Sequence, residues 1–292
     1  NFGNYLLGIV SGTAFTDLNG NAAKDIGEVA LQNWKIYKND FALDSTTTDV
    51  NGLYTFAGLR ADGPTVLVYP FIPSGWIQTL PVSPSYSFSI YGGANFQGNN
   101  IGLFELGNIS GQKFNDVNGN GVKDGGESAL QNWKIRLSGA KVDSVVTDAS
   151  GNYSFSGLTV GNYNVSEDNQ SGWLQTLPAG GGTYSISVQS GTNSTARNFG
   201  NFQYGIISGM KFGDANSNGM KDVGEVGLAN WKIKISGAKN DSVLTDGSGN
   251  YTFTNLTVGN YTVSEVLQSG WVQTFPLSPG TYSLSVVSGS SF

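Results

Sequence analysis

The stretch that decides the fold runs Asp116-Val-Asn118-Gly-Asn120-Gly121-Val122-Lys-Asp124-Gly-Gly-Glu127, and it occurs three times along the chain. The earlier copy is Asp17-Leu-Asn19-Gly-Asn21-Ala22-Ala23-Lys-Asp25-Ile-Gly-Glu28, and the later copy is Asp214-Ala-Asn216-Ser-Asn218-Gly219-Met220-Lys-Asp222-Val-Gly-Glu225. Oxygen-bearing side chains fall at loop positions 1, 3, 5, 9 and 12 of every copy. This is the ligand order of a twelve-residue calcium loop, which surrounds the ion with about six to eight oxygens.

The three copies therefore predict three Ca²⁺ sites, with position 7 offering a backbone carbonyl. The predicted ligands are Asp17, Asn19, Asn21, Ala23, Asp25 and Glu28; then Asp116, Asn118, Asn120, Val122, Asp124 and Glu127; then Asp214, Asn216, Asn218, Met220, Asp222 and Glu225. The alternative is an ordinary Asn- and Gly-rich turn, since both residues favour turns. Three copies with all five side-chain positions filled favour metal binding. Ala22 stands where the other copies have Gly, and a left-handed Ala costs about 1 kcal/mol, so the first site is predicted to be the weakest.

The composition excludes several classes of function. The chain of 292 residues has no Cys and no His, which excludes thiol chemistry, disulfides, the usual zinc sites and His-based catalysis. Its net charge of −6 argues against a nucleic-acid partner. The three loops hold nine of the 21 acids, so three Ca²⁺ ions would bring the formal charge to zero. No segment predicts a membrane span, and a chain that starts at Asn1 is expected to be a processed or excised piece of a longer product.

A long internal repeat predicts the domain organisation. Trp34, Trp133 and Trp231 are 99 and 98 residues apart, and a second set of tryptophans keeps nearly the same spacing. The predicted repeats are residues 9–106, 107–205 and 206–292, each large enough to form a domain. Residues 1–8 precede the first repeat as a separate N-terminal strand.

The pattern within each repeat predicts β-strands throughout. In the second repeat, 133–137, 163–167 and 184–188 alternate apolar and polar residues, with turn residues between them. About seven short strands with this spacing predict a β-sandwich, and no stretch has sustained helical periodicity. The calcium loop is therefore expected to join strands, which argues against a helix-loop-helix EF-hand.

These residues together carry a family resemblance. The segment from Gly111 to Glu127, followed by the patterns Thr147-Asp148-x-x-Gly151-x-Tyr153-x-Phe155 and Leu158-x-x-Gly161-x-Tyr163-x-Val165-x-Glu167, resembles the calcium-binding B repeats of serine–aspartate-repeat surface proteins. Those repeats lie within the wider group of Cna-B-like, prealbumin-like sandwiches. The expected fold is thus all-β, with three tandem sandwiches that each carry an EF-hand-like calcium loop. The first repeat departs from the pattern after Phe56, at 59–64 and 69–70.

The resemblance implies a structural part of an extracellular, cell-surface stalk or filament stiffened by Ca²⁺. The runner-up is an adhesin or carbohydrate-binding module, in which Trp76, Trp173 and Trp271 would stack on sugars. Their alternative role is to fill the end of a small core. Ser110-Gly-Gln-Lys113 matches a Ser-x-x-Lys nucleophile motif, but that motif needs a helix and further partners. An enzyme is therefore not expected, and the sequence identifies no glycan or host ligand.

The resemblance also implies a covalent bond, because some Cna-B-like relatives join a Lys near the first strand to an Asn on the last, assisted by a buried acid. The candidates are Lys113, Asn201 and Glu167 in the second repeat, with Lys211, Glu265 and Asn4 as a further set. The first repeat has Ala14, Leu103 and Pro70 at the aligned positions. The alternative is that Lys113 is an ordinary solvated strand residue.

The third repeat predicts a mode of assembly. Phe292 aligns with Ser194, so no counterpart of the closing strand Asn198-Phe-Gly-Asn201-Phe202-Gln-Tyr-Gly205 follows it. A similar segment, Asn1-Phe2-Gly3-Asn4-Tyr5-Leu-Leu-Gly8, opens the chain. Strand addition from another copy would build a head-to-tail homo-oligomer that propagates as a filament. The competing interpretation is a longer tandem array, in which the same strand arrives through continuous chain.

Overall fold

A computed structural model describes residues 2–40 and 42–292, in which every regular element is a β-strand. Asn1, the first residue of the predicted N-terminal strand, lies outside the described residues. No helix in this part of the chain has the length and hydropathy that crossing a bilayer requires.

The strands of the first repeat are β1 (Gly8–Thr16), β2 (Lys35–Asn39), β3 (Leu43–Thr47), β4 (Leu53–Leu59), β5 (Val66–Pro70), β6 (Trp76–Leu80), β7 (Tyr86–Phe88), β8 (Asn95–Phe96) and β9 (Ile101–Glu105). Those of the second are β10 (Gly107–Asn115), β11 (Lys134–Gly139), β12 (Asp143–Val146), β13 (Asn152–Leu158), β14 (Gly161–Glu167), β15 (Trp173–Leu177), β16 (Tyr184–Val188), β17 (Asn193–Ser194) and β18 (Phe199–Gln203). The third has β19 (Gly205–Met210), β20 (Lys232–Gly237), β21 (Asp241–Leu244), β22 (Asn250–Leu256), β23 (Gly259–Glu265) and β24 (Thr281–Val286).

Each repeat folds into two sheets. In the second repeat one sheet has the order β13-β10-β18-β15, with β17 beside β10, and the other has the order β12-β11-β14-β16. The first repeat repeats this topology as β4-β1-β9-β6 and β3-β2-β5-β7. The predicted all-β sandwich is confirmed, and the loops predicted to bind calcium join strands β1 and β2, β10 and β11, and β19 and β20.

Strand alternation builds the core of each sandwich. Along β14, Tyr163 and Val165 are buried while their neighbours face outward, as a period of two requires. Ile135 from the same sheet and Phe155 from the opposite sheet join them in one apolar cluster. The hydrophobic effect on these inward residues therefore holds the two sheets together.

The closing strand of each complete repeat lies between two neighbours. β18 runs parallel to β10 and antiparallel to β15, and its first four residues are buried. β9 has the same two relations to β1 and β6. The third repeat has no described strand in this position, and 271–275, the counterpart of β15, adopt no strand conformation.

The junctions between repeats share one pattern of main-chain hydrogen bonds. Gly191 N donates to Glu105 O at 2.8 Å, and 98 residues later Gly289 N donates to Gln203 O at 2.9 Å. Each closing strand thus contacts the repeat that follows it. One residue separates β9 from β10 and β18 from β19, so no free linker interrupts the chain.

The first two of the loops predicted to bind calcium take part in the same junctions. Ser190 N donates to Leu18 O at 3.1 Å, and Ser288 N donates to Val117 O at 3.1 Å. Leu18 and Val117 are the second residues of the first and second loops. Each of these two loops is therefore attached to a turn near the end of the next repeat.

The N-terminal segment 2–7 adopts the junction geometry without belonging to any strand. Gly93 N donates to Leu6 O at 2.7 Å, which places Leu6 where Glu105 and Gln203 lie at the internal junctions. Phe2 is fully exposed and Leu6 is largely exposed. The segment is thus held against the first repeat as a closing strand is held against the repeat that follows it.

A buried threonine fixes the start of β11 and gives a test of the fold. Trp133 N donates to Thr147 Oγ1 at 2.9 Å, and Thr147 Oγ1 donates to Leu130 O at 2.7 Å. Thr147→Val keeps the shape but leaves both main-chain groups unpaired. We expect a loss of about 1–3 kcal/mol in the free energy of opening of this repeat, measured by amide hydrogen exchange in β11. Thr159→Val, at an exposed position, is the control, and equal exchange rates in the two variants would contradict the expectation.

Candidate metal loops and a buried lysine, asparagine and glutamate cluster

The loop of the second repeat folds around its first residue. Asp116 is fully buried, and its carboxylate accepts hydrogen bonds from Asn120 N at 3.1 Å and Gly121 N at 2.7 Å. Asp116 N in turn donates to Asn201 O of the closing strand at 2.8 Å. The first ligand position is therefore fixed by its own loop and by β18.

The other predicted ligand side chains of this loop lie close together and are joined by hydrogen bonds. The Nδ2 atoms of Asn118 and Asn120 each donate to Asp124 Oδ2 at 2.8 Å. Glu127 accepts from Val117 N at 2.8 Å and from Asp124 N at 3.0 Å. The five side chains thus share one network, and the first and third loops repeat these contacts at Asp25 and at Asp222.

Two positions in the loop require a left-handed backbone, and the sequence pattern indicated only one of them. At position 6, Ala22 has φ 61°, where Gly121 and Gly219 have 73° and 76°. At position 4, Ser217 has φ 60°, where Gly20 and Gly119 occupy the same conformation. The first and third loops therefore each carry one strained residue, and the second carries none.

The donor chemistry of these loops suits a hard divalent cation. Each combines carboxylate, carboxamide and main-chain oxygens, the classes that Ca²⁺ prefers. Among residues 2–40 and 42–292 no group of three or more His, Cys, Asp or Glu side chains is gathered closely enough to hold a metal. This agrees with the composition of the loops, since two of the five side-chain positions in each loop are Asn. In the second loop, the Glu127 carboxylate accepts its hydrogen bonds from main-chain amides. The predicted ligand set fits in composition and order.

A second candidate site lies inside the second sandwich, and the structure brings its three predicted residues together. Lys113 Nζ lies 2.7 Å from Glu167 Oε2 and also donates to Asn201 Oδ1. Asn201 Nδ2 donates to Glu167 Oε1 at 2.7 Å. Lys113 is fully buried, and Asn201 and the Glu167 side chain are nearly so. The alternative that Lys113 is a solvated strand residue is wrong.

Burial controls the charge state of this cluster. Burial lowers the pKa of Lys113 to about 8, although the Glu167 carboxylate opposes the shift. Burial likewise raises the pKa of Glu167. The Trp133 ring, 4.4 Å from Lys113 Nζ, covers one side of the amine. Both shifts favour the neutral forms of the pair, and they therefore lower the cost of moving a proton from the ammonium to the carboxylate.

The third repeat has two members of the same cluster. Lys211 Nζ lies 2.7 Å from Glu265 Oε2, and the Glu265 side chain is only 6% exposed. Oε1 of Glu265 is buried and has no hydrogen-bond partner among the described residues. No contact joins Asn4 to Lys211 within the chain, since Asn4 lies before β1.

A groove lies where the third closing strand would pack. It has a volume of about 410 Å³, and Ile207, Lys211, Glu265 and Phe275 contribute to its lining. These residues come from the counterparts of β10, β14 and β15, which surround β18 in the second repeat. The groove therefore lies at the position that the closing strand occupies in the second repeat.

The first repeat has no polar or charged side chains at the positions of the Lys–Asn–Glu cluster. Strands β2 and β5 pair Ile36 with Pro70, and strands β11 and β14 of the second repeat pair Ile135 with Glu167. Pro70 and Glu167 therefore occupy the same position in the two repeats. Ala14, Leu103 and Pro70 are all buried. An apolar trio thus replaces the Lys–Asn–Glu cluster.

The predicted sugar-stacking tryptophans pack against other tryptophans. Trp76 meets Trp34 edge-on at 4.9 Å, and the two later repeats have the same T-shaped pairs. Trp271 is 44% exposed beside the open groove, while Trp76 and Trp173 are half-buried. Ser110 and Lys113 of the Ser-x-x-Lys match lie on strand β10 and not on a helix.

Comparisons with known proteins agree with this architecture. The SdrD B-like domain model matches residues 105–203 and 205–285. Serine-aspartate repeat-containing protein F of Staphylococcus epidermidis is 29% identical over 289 residues, which cover 88% of this chain and 18% of the relative. Serine-aspartate repeat-containing protein E of Staphylococcus aureus (strain Newman) is 27% identical over 261 residues, which cover 80% and 22%. The chain thus spans less than a quarter of the length of these relatives.

Solved structures were also found. BcpA, the major pilin subunit of Bacillus cereus, covers 98% of this chain and 98% of its own, at 10% identity and a TM-score of 0.42. The Bacillus anthracis TIE protein covers 98% of this chain and 49% of its own, at 17% identity and a TM-score of 0.38. The two ranges that match the domain model make up more than half of the chain, and the chain therefore belongs to the SdrD B-like domain family.

Proposed function

We propose that this chain is a structural segment of a calcium-stabilised stalk or filament that assembles head to tail by strand donation. Family membership and the serine-aspartate repeat relatives support a cell-surface structural or adhesin-like protein and agree with the predicted extracellular location. The observation that carries the proposal is the repeated junction, which joins Glu105 to Gly191, Gln203 to Gly289 and, at the N-terminus, Leu6 to Gly93.

Calcium would act at these junctions. The residues that would hold it in the second repeat are Asp116, Asn118, Asn120, Asp124 and Glu127, with the position-7 carbonyl. Their loop also accepts a hydrogen bond from the next repeat. An ion that fixes the loop therefore fixes both the sandwich and the joint.

Chelation tests the calcium proposal. We expect EGTA to lower the melting temperature, because a site saturated at 100 times its dissociation constant contributes about 2.7 kcal/mol. Asp116→Ala should remove the protection that Ca²⁺ gives to amides of the second repeat. Asp143→Ala, which removes an exposed Asp outside the loops, is the matched control.

If the melting curve is unchanged in EGTA and Asp116→Ala has no effect, the loops are ordinary turns that bind no calcium.

The three sites are also expected to differ in calcium affinity. Ala22 and Ser217 are each strained in the left-handed region, so the second site is expected to be the tightest. The earlier prediction that the first site is the weakest stays a prediction.

Strand donation would complete the third repeat. Phe199 is fully buried in the core of the second repeat, whereas its counterpart Phe2 is fully exposed. A Cβ on Gly200 would lie 2.6 Å from the Phe114 ring, so only Gly fits before Asn201. The donor segment has Gly3 in this place, and Phe212 stands in the third repeat where Phe114 stands in the second.

Gly3→Val therefore provides a sharp test. A Cβ on Gly3 meets no atom within 4 Å in the free chain, so the variant should fold normally. In the acceptor groove it would collide with the Phe212 ring, and we expect filaments to be lost by electron microscopy and light scattering. Gly247→Val, also in open space, is the control. Long filaments from the Gly3→Val variant, or from a chain lacking residues 1–8, would exclude strand donation and favour a longer tandem array.

We further propose that the cluster of the second repeat forms an internal amide bond. The neutral Lys113 amine attacks Asn201 Cγ, so that an Nζ–Cγ bond forms and the Cγ–Nδ2 bond breaks. Glu167 takes the proton that the amine loses and passes it to the Asn201 nitrogen, which leaves as ammonia. The bond would tie β10 to β18 covalently. Such a bridge suits a stalk, because these two strands join successive repeats.

Intact mass tests this bond. We expect the chain to be lighter than its sequence mass by one ammonia, with a Lys113–Asn201 linked peptide after digestion. Glu167→Gln, which keeps the size but cannot exchange the proton in the same way, should restore the sequence mass. A wild-type chain at its full sequence mass would end the proposal, whereas a lighter mass in the Glu167→Gln variant would remove only the role of Glu167.

The adhesive alternative has weaker structural support. One relative is named bone sialoprotein-binding protein, and it is 26% identical over 261 residues of Staphylococcus aureus sequence. Trp76 and Trp173, however, are half-buried and pack in T-shaped pairs against other tryptophans. The structural role is therefore the function that the geometry supports best.

A further inference from the structure

We propose that position 4 of the first and second metal loops is the docking point that sets the angle between successive repeats. The joint is determined by two residues, a glycine at this position in the leading repeat and a valine in a turn of the following repeat. The partner of the surface is thus the next repeat of the same chain. The inference deepens the proposed stalk function, and its role in stiffness rests on that function.

The first observation is the lack of space above the position-4 glycines. A Cβ built on Gly20 would lie 2.7 Å from Val160 Cγ1, and a Cβ built on Gly119 would lie 2.9 Å from Val258 Cγ1. Carbon atoms do not approach so closely unless one of them moves, and valine is stiff at χ1. Each glycine therefore contacts the following repeat where a side chain would collide with it.

The second observation separates this requirement from the needs of the loop itself. Position 4 has a left-handed backbone in all three loops, and in the third loop Ser217 adopts it with φ 60°. A loop of this type therefore folds with a side chain at position 4, in spite of the strain. The backbone conformation alone does not demand glycine in the first two loops, whereas the contact with the next repeat does.

The two valines occupy equivalent places in their repeats. Val160 lies in the turn between β13 and β14, and Val258, 98 residues later, lies in the turn between β22 and β23. Each valine is only 37% exposed, although it lies in a turn at the end of a sandwich. The loop of the preceding repeat covers part of its apolar surface, and this burial favours the docked joint.

The closing strand forms the other side of this contact. A Cβ on Gly20 would lie 3.9 Å from the Phe104 ring, and a Cβ on Gly119 would lie 3.7 Å from the Phe202 ring. Phe202 alternates with Asn201 along β18, so its side chain faces away from the Lys–Asn–Glu cluster. It belongs to the apolar cluster of the third repeat. Position 4 therefore lies between a phenylalanine of its own repeat and a valine of the next.

A second contact of the same loop gives the joint a fixed direction. The carbonyl of loop position 2 accepts a hydrogen bond from Ser190 N at the first joint and from Ser288 N at the second, each at 3.1 Å. These serines lie in a different turn from the valines. One contact would leave the next repeat free to swing about the chain connection. Two contacts on separate turns, together with that connection, fix its angle.

Metal binding would act on the docking point because predicted ligands flank it. Asn118 and Asn120 stand on either side of Gly119, and both donate to Asp124. A cation held by these side chains would fix the backbone of Gly119 under the valine of the next repeat. We therefore expect the joint to loosen when the cation is removed, even where the sandwich stays folded.

The experiment measures the joint between the second and third repeats in the full chain. Because the chain has no Cys, spin labels can be placed at Ser144→Cys and Ser242→Cys, two exposed positions on β12 and β21. The distance distribution between the two labels reports the angle between the repeats. We expect Gly119→Ala to broaden or shift this distribution. It should also speed the exchange of the Ser288 amide, which bonds to the loop, by about tenfold.

The matched control is Gly126→Ala. Gly126 lies in the same loop with φ 92°, and a Cβ there meets no atom within 4 Å. This variant carries the strain of a left-handed alanine without touching the next repeat, so the label distances and the Ser288 exchange rate should stay as in the wild type.

A second substitution tests whether the collision is the cause. Val258→Ala removes Cγ1, and the Cβ that remains would lie 3.5 Å from a Cβ on residue 119, an ordinary contact distance. Gly119→Ala combined with Val258→Ala should therefore give the distribution of Val258→Ala alone. A wild-type distribution in Gly119→Ala, or a double variant that stays broad, would overturn the inference.

Chelation separates the docking point from the proposed action of calcium. If EGTA leaves the wild-type distribution unchanged while Gly119→Ala broadens it, the docking point stands and the proposed action of calcium at the joints is wrong. If EGTA and Gly119→Ala both broaden it, both proposals are supported. If Gly119→Ala and Gly126→Ala broaden it equally, backbone strain is the cause and the docking point is wrong.

Discussion

The structure depends on one strand, the closing strand of each sandwich. β18 pairs with β10 on one side and β15 on the other, and its side chains fill the core. Its Asn201 carbonyl holds the first residue of the metal loop, and its Gln203 carbonyl holds the next repeat. The core, the loop, the polar cluster and the junction of the second repeat therefore all contact this one strand. In the third repeat no strand is described in this position, and the counterpart of β15 adopts no strand conformation.

Much of this architecture could be predicted from local patterns. Apolar and polar residues alternate along the strands because one face of each strand is buried, so the strands can be predicted from the sequence. The loops can be predicted because oxygen-bearing residues recur at the same spacing in each repeat, about 98 residues apart. The departure of the first repeat after Phe56 raised doubt about its second half, yet β5 pairs with β2 in the same register. Pro70 lacks a main-chain N–H, but it is the last residue of β5 and lies beyond the part of β5 that pairs with β7, so the missing donor does not interrupt the sheet.

The junctions could not be predicted in the same way. Their hydrogen bonds join main-chain groups, such as Gly191 N to Glu105 O, which nearly any residue can supply. A weak signal does exist, because Ser190 and Ser288 recur at the repeat distance and cap the ends of β9 and β18 through their hydroxyls. The need for a left-handed residue at loop position 4 was hidden by Ser217, which adopts that conformation despite its cost.

The first repeat shows that the buried charged cluster is not needed to close the sandwich. With Ala14, Leu103 and Pro70 it closes the same sandwich and supports the same junction. Replacement of a buried ion pair by apolar residues is often neutral or stabilising, because two charges need not lose their water. Stability alone therefore gives no reason for Lys113 and Glu167, or for Lys211 beside an unsatisfied Glu265. The proposed amide bond does give a reason, because it requires an amine, an acid and a carboxamide side by side. The carboxamide of this group lies on the closing strand.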